Sequence, residues 1–177
     1  MRFIERGIDM QLVEVHCGQE AEVAALADEI WHEHYKTILK KEQIDYMVDK
    51  YQSVPAITGQ LEKGYRYFLV EIDKEYAGYI GLVFPPENGR LFLSKLYVAK
   101  KFRGKGVASL MFQKALSLAK EVQADIIWLT VNRGNTDSVS VYRHWGFETV
   151  RTEDTKIGNG FEMNDYIMEY QVAKLPV

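Results

Sequence analysis

The spacing of apolar residues changes along this chain, and each change marks a new element. Gln11–Cys17 (QLVEVHC) alternates apolar and polar residues, the period-2 pattern of a half-buried strand. From Gln19 to Tyr35 the period lengthens: Val23, Leu26, Ile30 and Trp31 recur at helical spacing. Ile44, Met47, Val48 and Tyr51 do the same between Lys41 and Gln52. Residues 53–64 read as a short helix or turn closing at Gly64, with Pro55 early, where a helix tolerates it. Two strands rich in aromatic and β-branched residues follow, Tyr65–Ile72 and Glu75–Phe84, joined by a tight turn at Asp73-Lys74. The PPENG stretch is a loop, and Arg90–Ala99 is a further strand.

The second half repeats the change of period. Val107, Ala108, Met111, Ala115, Leu118 and Val122 give one face of a helix spanning about Lys105 to Val122. Asp125–Val131 is almost continuously apolar, the mark of a strand buried on both faces. Asn135–Trp145 is a short helix that Gly146 ends in a left-handed conformation. Residues 147–156 and 161–172 form a closing hairpin that turns at Gly158-Asn159-Gly160. The element order predicts an α/β domain: a mixed, partly parallel central sheet of about seven strands with helices on both faces. The unit from Arg90 to Val131 should be parallel and right-handed. Residues 1–9 read as a leader and 10–177 as one domain.

Composition narrows the classes of function. The 177 residues carry a formal net charge of −3, which argues against a general nucleic-acid binder. Cys17 is the only cysteine, so no disulfide forms within the chain, which suits a reducing, cytoplasmic compartment. No apolar run approaches the ~20 residues that span a membrane. HEH at His32–His34 lacks the spacing of a zinc helix, and no metal is expected. Glu29, His32 and Glu33 share a helix face that reads as solvated or substrate-facing.

Against that acidic background, Lys100, Lys101, Arg103 and Lys105 cluster between a strand and a helix, together with Gly104 and Gly106. A helix start presents unpaired N–H groups and the positive end of the helix dipole. Glycines let the backbone approach a ligand, so the turn reads as a pyrophosphate cradle. It is not a P-loop, since G-x-x-x-x-G-K-[ST] is absent. Gly104-x-Gly106-x-x-Ser109 falls one residue short of the dinucleotide fingerprint and follows several strands instead of the first. A nucleotide-binding protein using the same turn is nevertheless a competing reading.

Arg103-Gly104-Lys105-Gly106-Val107-Ala108 fits a third pattern, R/Q-x-x-G-x-G/A, and Leu96-Tyr97-Val98 precedes it. Farther on stands N-x6-Y-x3-G-F, with Asn135, Tyr142, Gly146 and Phe147 in register. In these two motifs the sequence resembles the GNAT superfamily of acyl-CoA-dependent N-acetyltransferases. Its N-terminal helices and its tail look like the branch of PaiA-type spermidine/spermine acetyltransferases. The resemblance implies acetyl-CoA as co-substrate and acetyl transfer to a primary amine of a small molecule, with a polyamine as the named candidate. A peptide or protein acceptor, or a non-catalytic acyl-CoA-binding domain, is the alternative.

The resemblance also implies roles. Arg103, Gly104, Lys105, Gly106, Val107 and Ala108 would hold the pyrophosphate. Backbone at Leu96, Tyr97 and Val98 would receive the pantetheine arm and the thioester oxygen. Asn135 and Ser138 would touch the co-substrate from the other side, and Tyr142 would protonate the leaving thiolate. Trp31, His32, Glu33 and Tyr35 are acceptor-site candidates, and the acids Glu29, Glu33, Asp45 and Asp49 would favour a cation. Many relatives carry a glutamate just before the Leu-Tyr-Val triplet. Here Ser94-Lys95 stands there, so the base is left open among Glu33, His32 and an ordered water. A homodimer through the sheet edge or the C-terminal strands is the expected assembly.

Overall fold

The computed structural model describes residues 2–5, 7–85 and 88–172, with the side chains of residues 2, 3 and 5 excepted. Part of the PPENG loop therefore lies outside the described residues. The chain forms two compact units, residues 1–83 with 95–114 and residues 84–94 with 115–177.

In the first unit, β1 (Arg2–Glu5) and β2 (Ile8–Glu14) form an antiparallel hairpin, so strand structure occupies residues that the sequence reading placed in a leader. β2 starts at Ile8, earlier than expected, because its alternation buries Met10 and Leu12. Helices α1 (Glu20–His34), α2 (Lys41–Gln52) and α3 (Val54–Glu62) follow. Pro55 sits in the first turn of α3, where its missing N–H costs nothing. β3 (Arg66–Ile72) pairs antiparallel with β2 and with β4 (Glu75–Val83). Asp73 and Lys74 both have positive φ, 50° and 65°, as a primed hairpin turn requires. Tyr67, Leu69, Ile80 and Leu82 are buried there with Ile57 from α3. Each such aliphatic side chain contributes about 1.5–3 kcal/mol by leaving water.

β5 (Arg90–Val98) runs from the second unit into the first, and α4 (Val107–Glu121) runs back. In the second unit, Arg90–Phe92 pair in parallel with Ile126–Trp128 of β6 (Ile126–Asn132), as the sequence predicted. α5 (Thr136–His144) then leads to β7 (Glu148–Gly158) and β8 (Phe161–Gln171), with β8 lying antiparallel between β6 and β7. Among the described residues the strands number eight, β1 being the addition.

β6 departs from the expectation of burial on both faces. Ile127, Leu129 and Val131 are buried, Ile126, Trp128 and Asn132 are half-buried, and Thr130 is exposed. A strand apolar at five of its seven positions thus buries one face fully, and on the other face Trp128 stacks on Phe92 at 4.2 Å. β7 is exposed along nearly all its length and carries both signs of charge, the composition of a guarded edge strand.

Candidate functional site

The basic turn occupies the first unit as a tight series of bends. β5 ends at Val98, Lys100–Phe102 make one 3-10 turn, and α4 opens at Val107, two residues later than the apolar pattern indicated. Gly104 and Gly106 have φ of +76° and +88°, a left-handed region where a Cβ is strained. A Cβ on Gly104 would meet nothing within 4 Å. The glycine therefore serves backbone conformation, and the space before it is open to a ligand. Buried Phe102 and Val107 pin the two ends of the turn. This geometry fits a phosphate group: a glycine-bent approach, open space and a fresh helix start.

The cations of the turn do not all face outward. Arg103 donates from Nε to the Val98 carbonyl at 3.2 Å and from Nη2 to Glu33 of α1 at 2.6 Å. Lys100 Nζ lies 3.6 Å from the other Glu33 oxygen. Burial pushes the Glu33 carboxyl up, but the Arg103 hydrogen bond and the charges of Arg103 and Lys100 outweigh it and hold Glu33 below the usual carboxylate range. Lys101 pairs with Glu75, leaving Lys105 as the turn's cation without a carboxylate partner among the described residues.

The acceptor-site candidates on α1 are likewise occupied. His32 bonds Asp45 of α2 through Nε2 at 2.8 Å and the Asp28 carbonyl through Nδ1 at 2.8 Å. The Asp45 bond, then the Asp28 one, raises the imidazole pKa above its ordinary value. Lys41 binds the same Asp45 at 2.6 Å. Trp31 and Tyr35 are buried, with ring centroids 4.5 Å apart, and Trp31 meets Tyr97 in a tilted contact at 5.5 Å. Tyr97 in turn stacks on Tyr79 at 5.3 Å.

Lys95 of β5 is 5% exposed. Its Nζ donates to Gln60 Oε1 at 3.1 Å and lies 5.8 Å from the Tyr67 ring. Tyr67 donates its hydroxyl to the same Gln60 oxygen. Without a carboxylate beside it, burial pushes the Lys95 ammonium down to about 8. β4 and β5 approach closely here. A Cβ on Gly78 would stand 2.6 Å from the Tyr97 carbonyl.

In the second unit, Asn135 caps α5. Its Oδ1 accepts from Ser138 N at 3.4 Å, and its own N–H donates to the Asn132 carbonyl. The sequence reading gave Asn135 a co-substrate contact; its Oδ1 already accepts the capping bond from Ser138, and its Nδ2 has two further N–H donors. Tyr142 is buried, with ring contacts to Trp145 at 5.9 Å and Phe147 at 5.7 Å. Phe147 contacts Tyr170 of β8 at 5.5 Å. The β5–β6 ladder stops at Phe92↔Trp128, although β6 continues to Asn132.

Sequence reasoning missed Asp165 on β8. It is 6% exposed, and its Oδ1 has no hydrogen-bond partner. Burial pushes its carboxyl up to about 6 against the opposing charge of Arg133, while Glu153 and Asp154 add to the rise. No local pattern marked it, because its neighbours come from other strands. Among the described residues no cluster of His, Cys, Asp or Glu is arranged to hold a metal ion. No described helix is long and apolar enough to cross a membrane.

The chain spans less than half the length of the curated relatives it matches. Streptothricin acetyltransferase of Streptomyces lavendulae is 31% identical over 81 residues, covering 46% of this chain and 43% of that protein. Two solved structures share the fold over nearly the whole chain. PaiA N-acetyltransferase from Thermoplasma acidophilum, in complex with coenzyme A, has a TM-score of 0.77 at 20% identity, covering 92% of this chain and 98% of that one. Spermidine N-acetyltransferase from Vibrio cholerae, in complex with CoA and spermine, has a TM-score of 0.68 at 18% identity, with coverage of 92% and 95%. At those identities the likeness is one of fold. Residues 23–147 match the acetyltransferase (GNAT) family, a match covering well over half of the chain, and the protein therefore belongs to that family.

Proposed function

We propose that the protein transfers an acetyl group from acetyl-CoA to the primary amine of a small molecule. The observation that carries this reading is the turn from Arg103 to Ala108, with positive-φ glycines, open space before Gly104 and a helix opening at Val107. In the proposal its backbone N–H groups receive the pyrophosphate, with Lys105 adding attraction. Leu96, Tyr97 and Val98 offer backbone to the pantetheine arm. Asn135 Nδ2 and Ser138 contact the co-substrate, and Tyr142 gives a proton to the departing thiolate. A phenol carries its proton at neutral pH and can donate it to a thiolate.

A polyamine acceptor is supported by the spermine-bound neighbour, but the acids meant to attract it are partly spent. Glu33 serves Arg103 and Lys100, and Asp45 serves His32 and Lys41. A cytoplasmic protein pairing as a homodimer along the exposed strand β7 belongs to the same proposal. The test is thiol release by purified protein with acetyl-CoA and a panel of polyamines, monoamines, amino acids and peptides. Coenzyme A binding without release from any of them would leave the non-catalytic acyl-CoA-binding reading in its place.

A further inference from the structure

A carboxylate that holds the cations of a ligand loop is a point where two ligands can be linked. Glu33 of α1 is such a group. Its Oε2 accepts from Arg103 Nη2 at 2.6 Å, and its Oε1 lies 3.6 Å from Lys100 Nζ. Each oxygen thus faces one cation of the basic turn. The same Arg103 guanidinium donates through Nε to the Val98 carbonyl at 3.2 Å. A single guanidinium therefore spans the gap between Glu33 and the end of β5, the backbone that the acetyl-transfer reading gives to the pantetheine arm. Glu33, Val98, Lys100 and Arg103 all lie in the first unit.

The three charged side chains differ in exposure: 27% for Glu33, 38% for Arg103 and 72% for Lys100. The carboxylate is seated against the protein, and its cations are the more solvated partners. Partly exposed pairs of this kind are weak, so their members exchange at little cost. A guanidinium meets a phosphate with two parallel N–H bonds, and a diphosphate outcompetes one carboxylate for it in charge. A diphosphate in the open space before Gly104 would draw on Arg103 and Lys100 and leave Glu33 ionised and half-buried. While both cations stay, an ammonium ion approaching Glu33 is repelled by them. Asp45 of α2 is not affected in this way, because its partners His32 and Lys41 lie outside the turn.

We propose that Glu33 links the two substrates: the co-substrate's diphosphate takes Arg103 and Lys100 from it, and an ammonium group of the acceptor replaces them. The proposal rests on the acetyl-transfer reading. The acid spent on the turn becomes the acceptor's anchor once the cradle is filled. Each anion keeps a cationic partner throughout, so neither substrate leaves a bare charge behind. Glu33 acts here by binding and takes no proton. The linkage is reciprocal: whatever factor the co-substrate adds to amine affinity, the amine adds to co-substrate affinity.

Titration calorimetry of coenzyme A in propylammonium chloride, and in sodium chloride of equal ionic strength, tests this without turnover. Wild type should bind coenzyme A about fivefold tighter in the propylammonium salt. Pantetheine, which lacks the diphosphate, should show no preference between the salts. Glu33→Gln should bind coenzyme A equally in both. The double variant Arg103→Gln/Lys100→Gln supplies a readout that a merely structural pair would not move. Without coenzyme A, propylammonium should raise its melting temperature by more than that of wild type. No preference in wild type, a preference that persists in Glu33→Gln or is shared by pantetheine, or equal melting shifts would each overturn the linkage. Acetyl transfer to propylamine is assayed on the same preparation. Transfer without a salt preference sinks the linkage alone. A preference without transfer to any amine sinks the acetyl-transfer reading and leaves Glu33 joining a diphosphate site to an amine site. Failure of wild type to bind coenzyme A overturns both.

Discussion

The Arg103 guanidinium, the first residue of the phosphate-loop motif, is bound to the Glu33 carboxylate of α1 at 2.6 Å. The loop's most directional cation is thus held by the protein itself. Lys100 approaches the same carboxylate. The pair is partly exposed, so it adds at most about 1 kcal/mol to stability. Its larger effect falls on the ligand. Glu33→Gln frees two cations beside the cradle, and coenzyme A affinity should rise about three- to tenfold at low salt, with a steeper salt dependence. Titration calorimetry at two ionic strengths measures both. Weaker binding would show instead that Glu33 is needed to order the loop.

Two glycines separate conformational from steric need. Gly104→Ala meets no atom within 4 Å but must keep φ near +76°, so it should cost about 1 kcal/mol and weaken coenzyme A binding. Gly78→Ala has no φ problem, but its Cβ would lie 2.6 Å from the Tyr97 carbonyl. Backbone must move there, and the cost should reach about 3 kcal/mol. Chemical denaturation ranks the two, and the reverse order would contradict the geometry.

Lys95 gives a pH signature. Its ammonium is lowered from 10.5 to about 8, so the folded state disfavours the charged form. Between those values the unfolded chain binds the extra proton, and stability rises with pH. Below about 8 both states are protonated, and the whole penalty of roughly 3 kcal/mol is present. Lys95→Met removes the penalty, so it should stabilise the protein by about 2 kcal/mol at pH 7. The advantage should shrink as pH climbs from 8 to 10.5. Urea unfolding across that range decides, and a pH-independent difference would mean that Lys95 is not the titrating group.

Tyr142→Phe should leave coenzyme A binding unchanged and lower kcat about 10²-fold, because only the proton donor is lost. Its ring contacts with Trp145 and Phe147 survive the change. A comparable loss of melting temperature would point to a packing role. Steady-state kinetics and thermal unfolding on the same preparation distinguish the two.

Much of this molecule is written in local patterns. Hydrophobic period placed the helices and most strands to within a few residues, because core-facing positions must repeat with the geometry of their element. The glycine pair, the basic turn and the N-x6-Y-x3-G-F segment announced an acyl-CoA family, since turn conformations and helix starts depend on neighbours in sequence. Tertiary structure decided how charges are spent. Glu33 and Arg103 are 70 positions apart, and only the seating of α1 beside the loop makes them partners. Lys95 reads as an ordinary strand lysine until burial removes its water and leaves it the oxygen of Gln60 and the face of the Tyr67 ring. Asp165 lies in an unremarkable polar run until β8 inserts between β6 and β7. Which strands become neighbours is a long-range choice, and the desolvation of a carboxylate follows from that choice alone.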